Sequence, residues 1–223
     1  MTFLRHVWAI VAKDVTAELH TREIVNAMLV FALLATLIFS FALDLQGAAA
    51  RAATPGVFWV TVAFAGTLGL SRSMAREVRD RGMEGVLLAP VDRSAIFIGK
   101  AVGNLFLMAV VEAILMPLFV LLFDVSLLRP AVVGIVLLGT VGYAAAGTLL
   151  AAVAVNTRAR EVLLPVLLLP LTVPLLLAVV RSTGTLVTGG GWGDVVGWVR
   201  LIVAYDVILV SVSTLLFEAV VEG

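Results

Sequence analysis

Six apolar runs, each long enough to cross a bilayer, constrain this chain more than any other feature. A spanning helix needs about 20 mostly apolar residues. Stretches 25–43, 57–74, 97–123, 131–155, 162–180 and 201–221 meet that need, the second only by extending through Ser71 to Met74. The run 131–155 is uncharged for its whole length, and 97–123 carries Lys100 near its start and Glu112 near its middle. Composition agrees: 62% of residues are hydrophobic and 13% charged, against about 25% charged in a soluble domain. A soluble fold of this length lacks the polar residues to cover itself. The expected fold class is an all-α polytopic membrane protein of one domain, residues 1–223. No secretory leader is expected, because Met1–Glu23 contains no apolar core.

An even span count places both termini on one side, and lysine and arginine choose the side. With the N-terminus inside, the inner segments hold eleven Lys and Arg and the outer ones four, Arg51, Arg129, Arg181 and Arg200, of 15 in all. The expected orientation is N-in, C-in.

The segments outside the spans carry the functional signal. Residues 2–20 read as an interfacial helix, with Leu4, Val7, Trp8, Val11, Val15 and Leu19 recurring at steps of three and four. Arg5, Lys13, Asp14 and Glu18 are expected mostly elsewhere around it. It is either an anchor on membrane lipids or a docking surface that moves with the first span. Residues 75–94 form a charged inner segment. Arg72, Arg76 and Arg79 share one helical face, and Arg76–Asp80 and Glu77–Arg81 are spaced as i,i+4 pairs. Gly82 and Gly85 bend the chain, Val86–Leu88 make an apolar knob, and Asp92 or Ser94 caps the next helix. The segment is either a partner's docking site or a set of headgroup anchors. Residues 182–198, rich in Gly and Thr, read as the one long outer loop. Three prolines, Pro165, Pro170 and Pro174, are expected to kink the fifth span, as a moving gate or a static bend.

Several chemistries are absent. There is no cysteine, and net charge is zero, so neither a thiolate metal site nor a nucleic-acid-binding field is indicated. No phosphate-cradling G-x-x-x-x-G-K-[ST] occurs; Gly99–Lys100 is followed by Ala101. His6 and His20 read as solvated, and no catalytic residue set or metal site is found. Glu112 is the intramembrane functional candidate. It is neutralised by a proton, paired with a hydroxyl or amide such as Asn104, or faces a cavity. Asp206 is placed near the outer end of the last span, within reach of water. Small residues in the fourth span, among them Gly139, Gly142 and Gly147, permit close helix packing.

Six spans, an N-terminal interfacial helix and a charged loop between spans two and three resemble the permease of an ABC-2-type exporter. The run through Arg79, Arg81, Gly82, Glu84, Gly85, Leu87, Leu88, Pro90, Arg93, Gly99 and Lys100 carries that likeness. Three segments, 84–101, 156–165 and Phe217–Glu218, narrow it to haem exporter protein B, the permease of system I cytochrome c maturation. The resemblance covers nearly the whole chain and is weakest at 47–54 and 183–197. It implies a non-catalytic permease subunit of the bacterial inner membrane, with four partners. These are an ATPase subunit (protein A) that holds ATP-Mg, a tryptophan-rich haem-handling protein (protein C), a single-span protein (protein D) and, indirectly, a periplasmic haem chaperone (protein E). Haem is then the cargo of the complex. The resemblance assigns Arg76, Glu77, Arg79, Arg81, Gly82, Glu84, Leu87, Leu88 and Arg93 to coupling with the ATPase. Haem iron prefers His, Cys, Met or Tyr, and the spans contain neither His nor Cys. No cofactor is therefore assigned to this chain, and a mechanical role is favoured. Another cargo for the same fold, or a membrane scaffold without a transport cycle, remain as alternatives.

Overall fold

The computed structural model describes residues 2–42, 48–79, 91–155, 157 and 160–222. Among these the chain is all helix: α1 (Thr2–Thr21), α2 (Glu23–Ala42), α3 (Ala48–Arg79), α4 (Arg93–Phe123), α5 (Pro130–Val155), α6 (Arg160–Val187) and α7 (Trp192–Glu222). All except α1 are long and apolar enough to cross a membrane. Helices satisfy every backbone group within the segment, which hydrocarbon demands. The chain is thus a polytopic membrane protein.

Helices α3 and α5 are largely enclosed by their neighbours, whereas α2 and α7 turn most of their surface outward. Lipid is as apolar as leucine, so close contact and interhelical hydrogen bonds hold such a bundle. Phe58, Trp59 and Phe119 meet edge to face, with centroids 5.2 and 5.9 Å apart along the chain of contacts. Trp59 Nε1 donates to Thr183 Oγ1 at 3.1 Å, joining α3 to α6. Tyr143 OH lies 2.8 Å from Thr67 Oγ1 and donates to the Ala63 carbonyl, joining α5 to α3. Phe97 and Phe217 pack at 5.4 Å, tying the start of α4 to the end of α7. The small residues of α5 serve this intramolecular packing: Trp59 and Val179 close over Gly139, and Leu70 over Gly147.

Three boundaries differ from the sequence reading. The second span is part of a 32-residue helix that runs on through Arg72, Arg76 and Arg79. Partners on other helices keep these polar turns helical. The expected outer loop 182–198 is nearly all helix: α6 runs to Val187 and α7 starts at Trp192, and Ser182 and Thr185 turn their hydroxyls onto carbonyls four residues back. Only 188–191 breaks the chain, with Gly189 at φ 96° and Asp194 accepting from Gly191 N at 2.8 Å to open α7. Helix α6 runs without interruption through its three prolines. Between two of them, Tyr205 OH of α7 donates to the Leu171 carbonyl at 2.8 Å.

Candidate functional site

At the charge-rich end of the bundle, α1 lies across α3 and α4, and its polar side faces inward. Asp14 and Glu18 are buried together with Val7, Ile10 and Val11, while Leu4, Trp8 and Leu19 are exposed. This corrects the expectation that the charged residues of α1 lie away from its packed face. The apolar stripe is split: one part meets the protein, and Trp8 faces outward, as an interfacial anchor does. Gly99 makes the approach possible. A Cβ there would stand 2.8 Å from Ile10 Cβ and 3.2 Å from the Val7 carbonyl oxygen.

One turn further along α1, beside Gly99, the charges converge. Lys100 Nζ donates to Asp14 Oδ2 at 2.8 Å and Oδ1 at 3.1 Å, and also pairs with Glu77 Oε2. Lys13 Nζ donates to Glu77 Oε1 at 2.9 Å and lies 3.4 Å from Asp14. Lys100, Asp14 and Glu77 are 3%, 8% and 7% exposed. Two carboxylates and two ammonium groups thus neutralise each other where α1, α3 and α4 cross. Buried charges persist only when so paired and hydrogen-bonded. Burial of Lys13 works against its charge, but the hydrogen bond it donates to Glu77 and the charges of Asp14 and Glu77 outweigh that, raising its pKa above the ordinary 10.5.

A second knot sits beside the first. Glu18 Oε2 accepts from Arg76 Nη1 at 3.0 Å, and Glu18 Oε1 accepts from the Ile24 and Val25 amides at 2.8 and 2.9 Å. Glu18 therefore caps α2 from the preceding helix, satisfying orphan donors at a positive helix end. Arg72 and Arg79 reach Glu23 at 3.6 and 4.0 Å, both from exposed positions.

These contacts place the residues assigned to coupling. Arg76 and Glu77 turn inward and hold α1 and α4. Arg79 points outward on the same helix end. Arg93 begins α4, behind an N-cap in which Asp92 Oδ1 accepts from Ser94 N at 2.9 Å. Arg81, Gly82, Glu84, Leu87 and Leu88 lie outside the described residues, as do Asp80 and the proposed i,i+4 pairs that use it and Arg81. Sequence reasoning missed Lys100, Asp14 and Glu18 as one unit. The available signal was a lone lysine, preceded by glycine, inside the apolar run 95–123.

Deeper in the bundle, Glu112 of α4 accepts from Thr140 of α5 at 2.6 Å, and its Oε2 has no partner among the described residues. Its hydroxyl partner is on another helix, and Asn104 is committed elsewhere, donating to Thr148 Oγ1 at 2.9 Å. Asp206 is not near an outer end. Because α7 begins at Trp192, Asp206 falls mid-helix, 6% exposed, with no side-chain hydrogen-bond partner among the described residues. It rests against Gly142, where a Cβ would clash with Oδ1.

A family model described as "CcmB protein" matches residues 5–223. Two relatives carry the description "Heme exporter protein B". That of Rhodobacter capsulatus is 27% identical over 172 residues, spanning 76% of this chain and 78% of the relative. That of Pseudomonas aeruginosa is 26% identical over 156 residues, 70% of each.

Proposed function

The chain belongs to the CcmB family, and from that premise we propose that it is the permease subunit of an ATP-driven haem-handling complex of the bacterial inner membrane. Its relatives are described as haem exporter protein B. In this reading an ATPase subunit binds ATP-Mg on the cytoplasmic side, and the chain converts that subunit's motion into movement of its spans. A tryptophan-rich haem protein and a single-span protein stand beside it in the membrane. The outcome is release of a haem-loaded periplasmic chaperone for c-type cytochrome maturation.

The observation that carries the mechanical part is the ion-pair joint. Arg79 and the segment that follows α3, with Arg81, Gly82, Glu84, Leu87 and Leu88, form the contact for the ATPase, and Arg93 closes that segment at the start of α4. A push there is a push on the end of α3. Glu77 passes it through Lys100 to α4 and through Lys13 to α1. Arg76 passes it through Glu18 to α1 and to the first turn of α2. Arg76 and Glu77 act in transmission, and the outward residues act in docking. Packed helices carry such displacement as near-rigid bodies. Glu112–Thr140 and Asn104–Thr148 then hold α4 to α5, so that the two move together.

Reversing the charges of Arg79, Arg81 and Glu84 tests this reading. The variant is expected to insert normally and to abolish cytochrome c maturation. Undiminished maturation would refute the coupling role.

A further inference from the structure

We propose that the elbow between α1 and α2 is a binding site for one anionic phospholipid, held by Arg22. A groove of about 210 Å³ opens there between α1, α2 and α4. Val15 and Leu19 of α1, Val25 of α2, and Phe106 and Val110 of α4 form its apolar walls, with Arg22 and Asn26 polar among them. Arg22 stands between an interfacial helix and the first turn of the first span. That is the level at which headgroup phosphates lie. The remaining walls are mostly hydrocarbon, as an acyl chain requires.

Two observations set Arg22 apart from the cations that tie helices together at this end; Arg5, which also has no carboxylate partner among the described residues, does not line the groove. The first is its lack of a counterion. Lys13, Lys100, Arg72, Arg76 and Arg79 each have a carboxylate within 4.0 Å. Arg22 is exposed and has none among the described residues, and Glu18, which also lines the groove, is committed to Arg76 and to the α2 amides. An unpaired guanidinium at the lip of an apolar groove is complementary to a lipid phosphate. The second is backbone conformation. Arg22 is left-handed, at φ 51°. Glycine or asparagine takes that conformation most readily, and other residues do so at a cost. A ligand held by the arginine side chain would offset that cost.

A lipid so placed would fill the inner corner of the joint that links α1 to α2. The experiment is lipid retention by native mass spectrometry. Protein is taken from vesicles of phosphatidylcholine containing a minor share of phosphatidylglycerol. Wild type is expected to retain phosphatidylglycerol over phosphatidylcholine. Arg22→Gln is expected to lose that preference about fivefold, the equivalent of one interfacial cation, and Arg22→Lys to keep it. Arg22→Gly relaxes the backbone, so loss of the lipid in that variant traces to the missing cation and not to a strained elbow. Val110→Trp should exclude the lipid by filling the groove. Arg72→Gln, whose cation has Glu23 as partner, should leave retention unchanged. Equal retention by wild type and Arg22→Gln, an absence of preference in wild type, or an equal loss in Arg72→Gln would each overturn the proposal.

Discussion

Replacing Lys100 by methionine keeps length and apolar bulk but removes the cation that Asp14 and Glu77 share. Two carboxylates, 8% and 7% exposed, would then face only Lys13, whose side chain is 43% exposed. Removing one member of a buried pair costs about 3–5 kcal/mol, because the charge left behind is uncompensated. Lys13 remains in reach of both acids, so the low end applies, about 3 kcal/mol. That lowers the folded-to-unfolded ratio by about two powers of ten. Lys13→Gln removes a half-exposed partner and leaves the buried Lys100 in place, so it is expected to cost only about 1 kcal/mol. Reversible unfolding in mixed detergent–SDS micelles measures both. Adding Glu77→Gln to Lys100→Met should recover part of the loss, since one orphaned charge disappears. If Lys100→Met costs no more than Lys13→Gln, the joint is not a buried ion-pair unit and the reasoning fails.

Gly99→Ala should lift α1 from α4, because its Cβ meets Ile10 Cβ and a backbone oxygen that cannot retreat alone; faster proteolysis of α1 in micelles would register it. Gly142→Ala is expected to destabilise by about 1–3 kcal/mol through overpacking against Asp206 and Leu175. Pairing it with Asp206→Ala should recover most of that in the same unfolding assay. The pKa of Lys13 is raised by folding, so its contribution is complete below the unfolded value of 10.5 and fades as pH climbs through the higher folded value. The stability gap between wild type and Lys13→Gln should therefore hold constant from neutral pH up to about 10.5 and close as pH passes from there through the folded value.

How far the sequence can be read depends on which physics fixes each element. The spans were legible because hydrocarbon imposes a length and a composition that any apolar run displays. The Asp92 cap was legible because it is local. The outer segment 182–198 was not, since Ser182, Thr185 and Thr188 read as loop formers until their hydroxyls are seen turned back onto the helix. Asp206 was placed too near the surface for the same reason, as an underestimated helix start shifts every depth along α7. The joint was hardest. Asp14, Glu77 and Lys100 are far apart in sequence, and nothing local tells a buried charge on an amphipathic helix from a solvated one. The one trace was Gly99–Lys100, a gap and a charge side by side, which acquires meaning only once α1 is seen lying in the gap.

The central claim is that this chain carries the motion of an ATPase to a haem-bearing neighbour. Its most direct test is mild-detergent recovery of the tagged protein from its native membranes, with partners identified by mass spectrometry and haem read by absorbance. Wild type is expected to bring down an ATPase subunit and a tryptophan-rich membrane protein, with haem lost when that neighbour is removed. The variant reversed at Arg79, Arg81 and Glu84 is expected to lose the ATPase and keep the haem protein. Recovery of no ATPase with wild type, or full recovery with the reversed variant, would contradict the account.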